Sequence, residues 1–160
     1  MQAYPTKAVQ MKTTLAGYIC ICSLFGLGAL MQDVSAQTPQ SVDFPAAANG
    51  QINFVMPTQK IGCTYTPKVG TPVYKPFDGG PELSCDRIEP KYVRVVLTLM
   101  TIRRFDKVGD QGCCDARNVL AYGSRWSQGP FTCDSADAGL TCKRSDGRGF
   151  FMGLKSIKVQ

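Results

Sequence analysis

The hydrophobic positions of this chain form one unbroken run followed by a series of short alternating segments. The run, Leu15–Leu30, carries no charge. Beyond it, Ile52–Met56 (INFVM) and Ile61–Thr66 (IGCTYT) read as short strands, the first stopped by Pro57. Pro67–Pro81 holds four prolines and three glycines, which predicts a long loop with a brief edge strand near Val73-Tyr74. Glu82–Ile88 (ELSCDRI) is a third strand. Lys91–Phe105 shows the clearest alternation. Val93, Val95, Leu97, Leu99 and Thr101 share one face, and Tyr92, Arg94, Val96, Thr98, Met100 and Ile102 the other. Its Val, Ile, Thr and Tyr content favours a pleated strand over a helix. Its length predicts a bend or bulge midway.

Asn118–Tyr122 fits a short strand or one helical turn. Pro130–Asp134 and Gly139–Lys143 flank a turn-forming DSADAG stretch and predict a hairpin. Gly149–Val159 closes the chain as one or two strands. Strands at this spacing, with turn residues between them, predict an all-β fold, a small antiparallel sandwich or open barrel.

The uncharged run belongs to a different kind of segment. Lys12 precedes it and the small residues of Val34-Ser35-Ala36 follow it, the pattern of a secretory signal cleaved after Ala36. Met11 is the more natural start, because the ten residues before it are polar. A membrane anchor is disfavoured, since a spanning helix needs about 20 apolar residues. Neither Cys20 nor Cys22 has the lipoprotein context. Residues 1–36 are therefore expected to be a signal peptide and 37–50, without periodicity, a linker. Residues 51–160 are then a single β domain, and nothing in the mature chain is long and apolar enough to span a bilayer.

Of the eight cysteines, six lie in the mature part: Cys63, Cys85, Cys113, Cys114, Cys133 and Cys142. An even count in an exported chain reads as disulfides, here supplementing a core. Cys133 and Cys142 flank the predicted hairpin turn, and Cys63 and Cys85 flank the Pro/Gly-rich loop, so each pair can be brought close. Those two pairings leave Cys113 and Cys114 only each other. Adjacent cysteines bond each other through a tight ring, so two separate partners are the alternative. The pairing of Cys113 and Cys114 stays open.

The chain has no histidine. That excludes a Ser-His-Asp triad, a Cys-His dyad and histidine metal sites. Ser124, Ser127, Ser135 and Ser145 sit in turn-like stretches, none in a G-x-S-x-G or S-x-x-K setting. The carboxylates are scattered; Glu82 and Asp86 share a strand face but read as structural. Asp134–Gly139 lacks the register of a calcium loop. No catalytic residue, metal site or cofactor is expected. Cys113-Cys114 is the only candidate for thiol redox or soft-metal chemistry.

Charge suggests a different role. The mature part carries 16 basic and 11 acidic residues, a balance of +5. Basic residues cluster at 94–125 and again at 143–158. Arg125, Trp126 and Tyr122, with Arg148, form a candidate basic-aromatic surface for an anionic partner. An exported location argues against nucleic acid as that partner.

The order of motifs resembles a family of small secreted bacterial disulfide-containing β proteins, catalogued as a domain of unknown function. The matching segments are FVMPTQKIGC (Phe54–Cys63), ELSCDRI, Cys114-Asp115 and Leu120-Ala121-Tyr122-Gly123. They continue with FTCDSADAGLTC (Phe131–Cys142) and Gly147-Arg148-Gly149-Phe150. Arg148 stands where that family usually has histidine, and Ala121 where it has proline. One family cysteine is absent, with Cys113 beside Cys114 instead. The resemblance implies a secreted β domain and no particular activity.

The sequence thus points to an exported, periplasmic or extracellular, non-enzymatic binding or envelope-associated domain. Its partner would be an anionic envelope component or another exported protein. Two alternatives remain: a thiol redox or soft-metal protein using Cys113-Cys114, and an inhibitor of an exported hydrolase that plugs its target with the Pro67–Pro81 loop.

Overall fold

The computed structural model describes residues 38–160, so the expected signal peptide lies outside the described residues. Among the described residues there is no α-helix, and eleven strands form two sheets. The strands are β1 (Gln40–Val42), β2 (Ile52–Val55), β3 (Ile61–Thr66), β4 (Glu82–Arg87), β5 (Val93–Thr98) and β6 (Ile102–Phe105). They continue with β7 (Ser124–Gln128), β8 (Phe131–Ala136), β9 (Gly139–Arg144), β10 (Gly149–Met152) and β11 (Ile157–Val159). One sheet is the meander β2-β3-β4-β5-β6. The other is the meander β7 to β11 with β1 added in parallel at the β7 edge. The fold is an open two-sheet sandwich.

Alternation along each strand builds the core. Ile52, Phe54, Ile61, Cys63, Tyr65, Leu83, Cys85, Val95 and Leu97 come from the first sheet. Trp126, Phe131, Cys133, Leu140, Cys142, Phe150 and Met152 come from the second, and all are buried. Burial of this apolar surface supplies the main driving force for folding. Phe54 and Trp126 meet across the sheets with ring centroids 4.9 Å apart, and Tyr65 touches both Trp126 and Phe131.

Four local expectations need correction. Lys91–Phe105 is two antiparallel strands, with Leu97 opposite Ile102. The reversal has no Gly, Pro, Asn or Asp to announce it. Instead the Thr98 hydroxyl accepts the N–H groups of Met100 (3.2 Å) and Thr101 (3.0 Å), closing a tight turn through a side chain. The expected linker 37–50 is part of the fold: β1 pairs with β7, and Phe44 packs 5.7 Å from Phe54. A three-residue parallel edge strand is too short to show periodicity. Val73-Tyr74 forms no strand, because its loop is closed by bonds within itself, such as Thr71 N–H to the Tyr74 carbonyl at 2.7 Å. Asn118–Tyr122 yields only a single bridge, Val119 beside Val55.

Two arginines clasp the sheets at opposite ends. Arg87 of β4 donates to the Gly153 carbonyl at 3.0 Å, and Arg144 of β9 donates to the Thr98 carbonyl at 2.6 Å. Arg144 is buried and also grips Asp146 with two further hydrogen bonds. Arg144→Met keeps the aliphatic stem but leaves the Thr98 carbonyl unpaired. It is expected to lower stability by about 2 kcal/mol, measured from the urea midpoint, because a buried hydrogen bond to a charged donor is lost. A loss below a few tenths would mean that the clasp is not formed.

Candidate functional site

The period-2 geometry that sends Cys63 and Cys85 inward sends Thr64, Thr66, Glu82, Ser84, Asp86, Arg94 and Val96 to the outer face of the first sheet. This face is not bare. The long connection from β6 to β7 folds back across it. It is pinned by Val55 N–H to the Asn118 carbonyl (2.9 Å), by Leu120 N–H to the Val55 carbonyl (2.9 Å) and by Arg94 to the Asp110 carbonyl (3.0 Å). Between strand floor and loop lies a polar trough. One part, about 300 Å³, is lined by Gln51, Asn53, Gly62 and Cys113-Cys114 among others. The other, about 530 Å³, runs past Tyr74, Glu82 and Arg94. Gln51, Thr64, Ser84, Asp86 and Gly112 line both parts.

Gly62 explains how the loop settles there. A Cβ at this position would lie 2.9 Å from Cys113 Sγ and 3.1 Å from Cys114 Sγ. Only glycine lets the sulfur pair rest on β3. A glycine inside a strand signals such a close approach, and IGC carried that signal.

The ionisable groups of the floor are engaged in pairs. Asp86 and Arg94 stand opposite on β4 and β5 and form a two-pronged ion pair at 2.7 and 2.9 Å. Tyr74 Oη donates to Glu82 Oε1 at 2.8 Å. Burial pushes the Glu82 carboxyl above its usual range; the Tyr74 hydrogen bond opposes the rise and Asp78 adds to it. Burial and the hydrogen bond to Glu82 hold the Tyr74 hydroxyl protonated up to about 12, against an ordinary 10.0. The native state therefore keeps a proton that the unfolded chain releases, so this contribution to stability falls as pH rises from 10 towards 12. In a spectrophotometric titration, Tyr74→Phe should remove a tyrosinate component from the high-pH end. Loss of a component near the ordinary value would contradict the Tyr74–Glu82 bond.

The cysteines pair as the local geometry suggested. Cys63–Cys85 and Cys133–Cys142 are directly opposed on neighbouring strands, each with Cα atoms 4.1 Å apart. The sulfurs of Cys63, Cys85 and Cys142 cluster within 4.8 Å because the two bonds face each other across the core. Bonded sulfurs are not free thiolate ligands. Cys113 and Cys114 bond each other, half-buried in the trough wall, so all six described cysteines are bonded.

The basic-aromatic surface is not assembled. Trp126 points inward and is 1% exposed. Arg125, its outward neighbour, is held by Asp134 at 2.6 and 2.9 Å. Tyr122 is exposed in the connection before β7. Arg148 sits in the β9–β10 turn, beyond Arg144, whereas Arg125 lies opposite Asp134, itself opposite Thr141. Alternation in Ser124-Arg125-Trp126 forces the tryptophan into the core once Arg125 faces solvent. The trough was missed because its residues come from six separate segments. Besides Gly62, the local sign was the polar parity of Glu82, Ser84 and Asp86 against Leu83 and Cys85. Comparison with protein-family models, with curated proteins and with solved structures finds no match.

Proposed function

We propose that this chain is an exported, non-enzymatic binding module that takes a polar, hydroxyl-rich ligand, a neutral saccharide in chemical class, along the outer trough. The observation that carries this reading is the floor itself. Ser84 and Thr64 lie beside the Asp86–Arg94 and Tyr74–Glu82 pairs in a cavity of about 530 Å³. Paired carboxylates and their donors offer adjacent acceptors and donors, which suits vicinal hydroxyls. Asp86 is neutralised by Arg94, and Glu82 is held by the Tyr74 hydroxyl, an arrangement that favours binding over proton transfer. Export rests on the leader pattern; three disulfides, with no helix among the described residues long and apolar enough to cross a membrane, are compatible with it.

Ser84→Trp fills the trough from its floor without touching the core face. Titration of the protein with a panel of neutral oligosaccharides, followed by amide NMR, should shift resonances of β3–β5 and residues 107–116. Ser84→Trp should weaken that binding at least tenfold, about 1.4 kcal/mol. Equal affinity in a folded Ser84→Trp protein, or shifts confined to the other sheet, would remove the trough as the site.

A further inference from the structure

The four most exposed large hydrophobic side chains of the described residues are gathered at one end of the sandwich. They are Val73 (95% exposed), Phe77 (82%), Val69 (75%) and Met100 (72%). Register explains the gathering. Thr66, Glu82 and Thr98 stand opposite one another across β3, β4 and β5, so the Pro67–Pro81 loop and the β5–β6 turn leave the sheet side by side. Arg103 lies over the Phe77 ring at 4.7 Å and ties the two together. The Arg144–Thr98 hydrogen bond brings the β9–β10 turn, with Arg148, to the same end.

The loop holds its shape. Gly70 N–H reaches the Pro67 carbonyl at 2.8 Å, Tyr74 N–H reaches the Thr71 hydroxyl at 3.0 Å, and Lys75 Nζ reaches the Val69 carbonyl at 2.7 Å. Ordering these tips costs little more on binding, because the fold has already ordered them. The charge around them is positive. Lys68, Lys75, Arg103 and Arg148 are exposed there. Of the nearby acids, Glu82 is buried against Tyr74 and Asp146 is held by Arg144, leaving Asp78.

We propose that this end docks on an anionic lipid surface, independently of the trough. Val73, Phe77 and Met100 enter the headgroup layer while Lys68, Lys75 and Arg103 meet the lipid phosphates. Apolar tips ringed by cations match an interface that is apolar below and negative above. A residue as exposed as Val73 stands out from the surface instead of lining a groove. Separate protruding tips suit a deformable layer better than a rigid partner, which would need a pocket for each.

The test uses the full chain with phosphatidylglycerol-containing vesicles and, separately, phosphatidylcholine vesicles. Binding is read by co-sedimentation and its location by amide hydrogen exchange. Binding should require the anionic lipid, weaken with added salt, and protect residues 67–81 and 99–101. Lys68→Glu/Lys75→Glu should weaken it by at least about 25-fold, since each surface cation near such a membrane contributes roughly fivefold. Val73→Asp/Phe77→Asp should weaken it at least tenfold. Lys155→Glu/Lys158→Glu, outside this end, should have a smaller effect than Lys68→Glu/Lys75→Glu. The N-terminal apolar run is identical in every variant, so differences among them report this end. Sedimentation with protection confined to other segments, equal binding to neutral vesicles, or no binding would overturn the proposal. Protection of 67–81 that grows with protein concentration alone would overturn it in favour of a second copy.

Discussion

Replacing Cys63 and Cys85 together by alanine is expected to cost about 3 kcal/mol, and replacing Cys133 and Cys142 slightly less. The two bonds close loops with sequence separations of 22 and 9. Loop-closure entropy then puts the longer bond ahead by about 0.7 kcal/mol. Removing both should cost about 6 kcal/mol, comparable with the whole stability of many small domains. The loss has a second source, because Cys85, Cys133 and Cys142 are fully buried and their sulfurs fill the space between the sheets. Cys113→Ala/Cys114→Ala should behave differently. That bond joins adjacent residues and closes no loop of consequence, so its removal should cost less than about 1 kcal/mol by the same reasoning. Urea unfolding followed by near-ultraviolet circular dichroism measures all three. The denaturant slope should rise when either core bond is removed, since the freed unfolded chain exposes more surface. Equal costs for the three pairs would show that chain constraint is not what the core bonds contribute.

How much of this was legible follows from which interactions are local. Cys133 and Cys142 flank a turn announced by Asp, Ser and Gly, so hairpin and disulfide could be read together. Alternation in Val93, Val95 and Leu97 identified a core-facing strand. It could not show the reversal after Thr98, because that turn is capped by a threonine hydroxyl in a stretch that otherwise continues the strand pattern. β1 escaped because its parallel partner lies more than 80 residues away and three residues carry no period. The trough is a product of register: Thr64, Ser84 and Arg94 become neighbours only once β3, β4 and β5 are aligned. Gly62 marked a close approach, but not what approached. The pairing of Cys113 with Cys114 is not legible locally, because it follows only once β3–β4 and β8–β9 have paired the other four cysteines.

The sharpest separation between surface and core should come from two adjacent residues of β7. Trp126→Ala is expected to cost about 4 kcal/mol, as for other large aromatic truncations in a core. The indole lies 1% exposed, against Phe54 at 4.9 Å and Tyr65 at 6.1 Å between ring centroids. Its removal opens a void between the sheets that Cys133 and Cys142, fixed to each other, cannot move to fill. Arg125→Ala, one position away, should change stability by no more than about 0.5 kcal/mol. Its ion pair with Asp134 is well formed, but the two side chains are 42% and 36% exposed, and solvent screens such pairs. A basic-aromatic binding surface predicts the reverse: loss of ligand affinity from both substitutions with the fold intact. Thermal and urea unfolding of the two variants decide between these outcomes. If Trp126→Ala is as stable as the parent, the tryptophan does not hold the sheets together and the packing described for this sandwich is wrong at its centre. If it falls by several kcal/mol while Arg125→Ala does not, the chain's only tryptophan is part of the fold, and the proposed binding surfaces are the outer trough and the loop end.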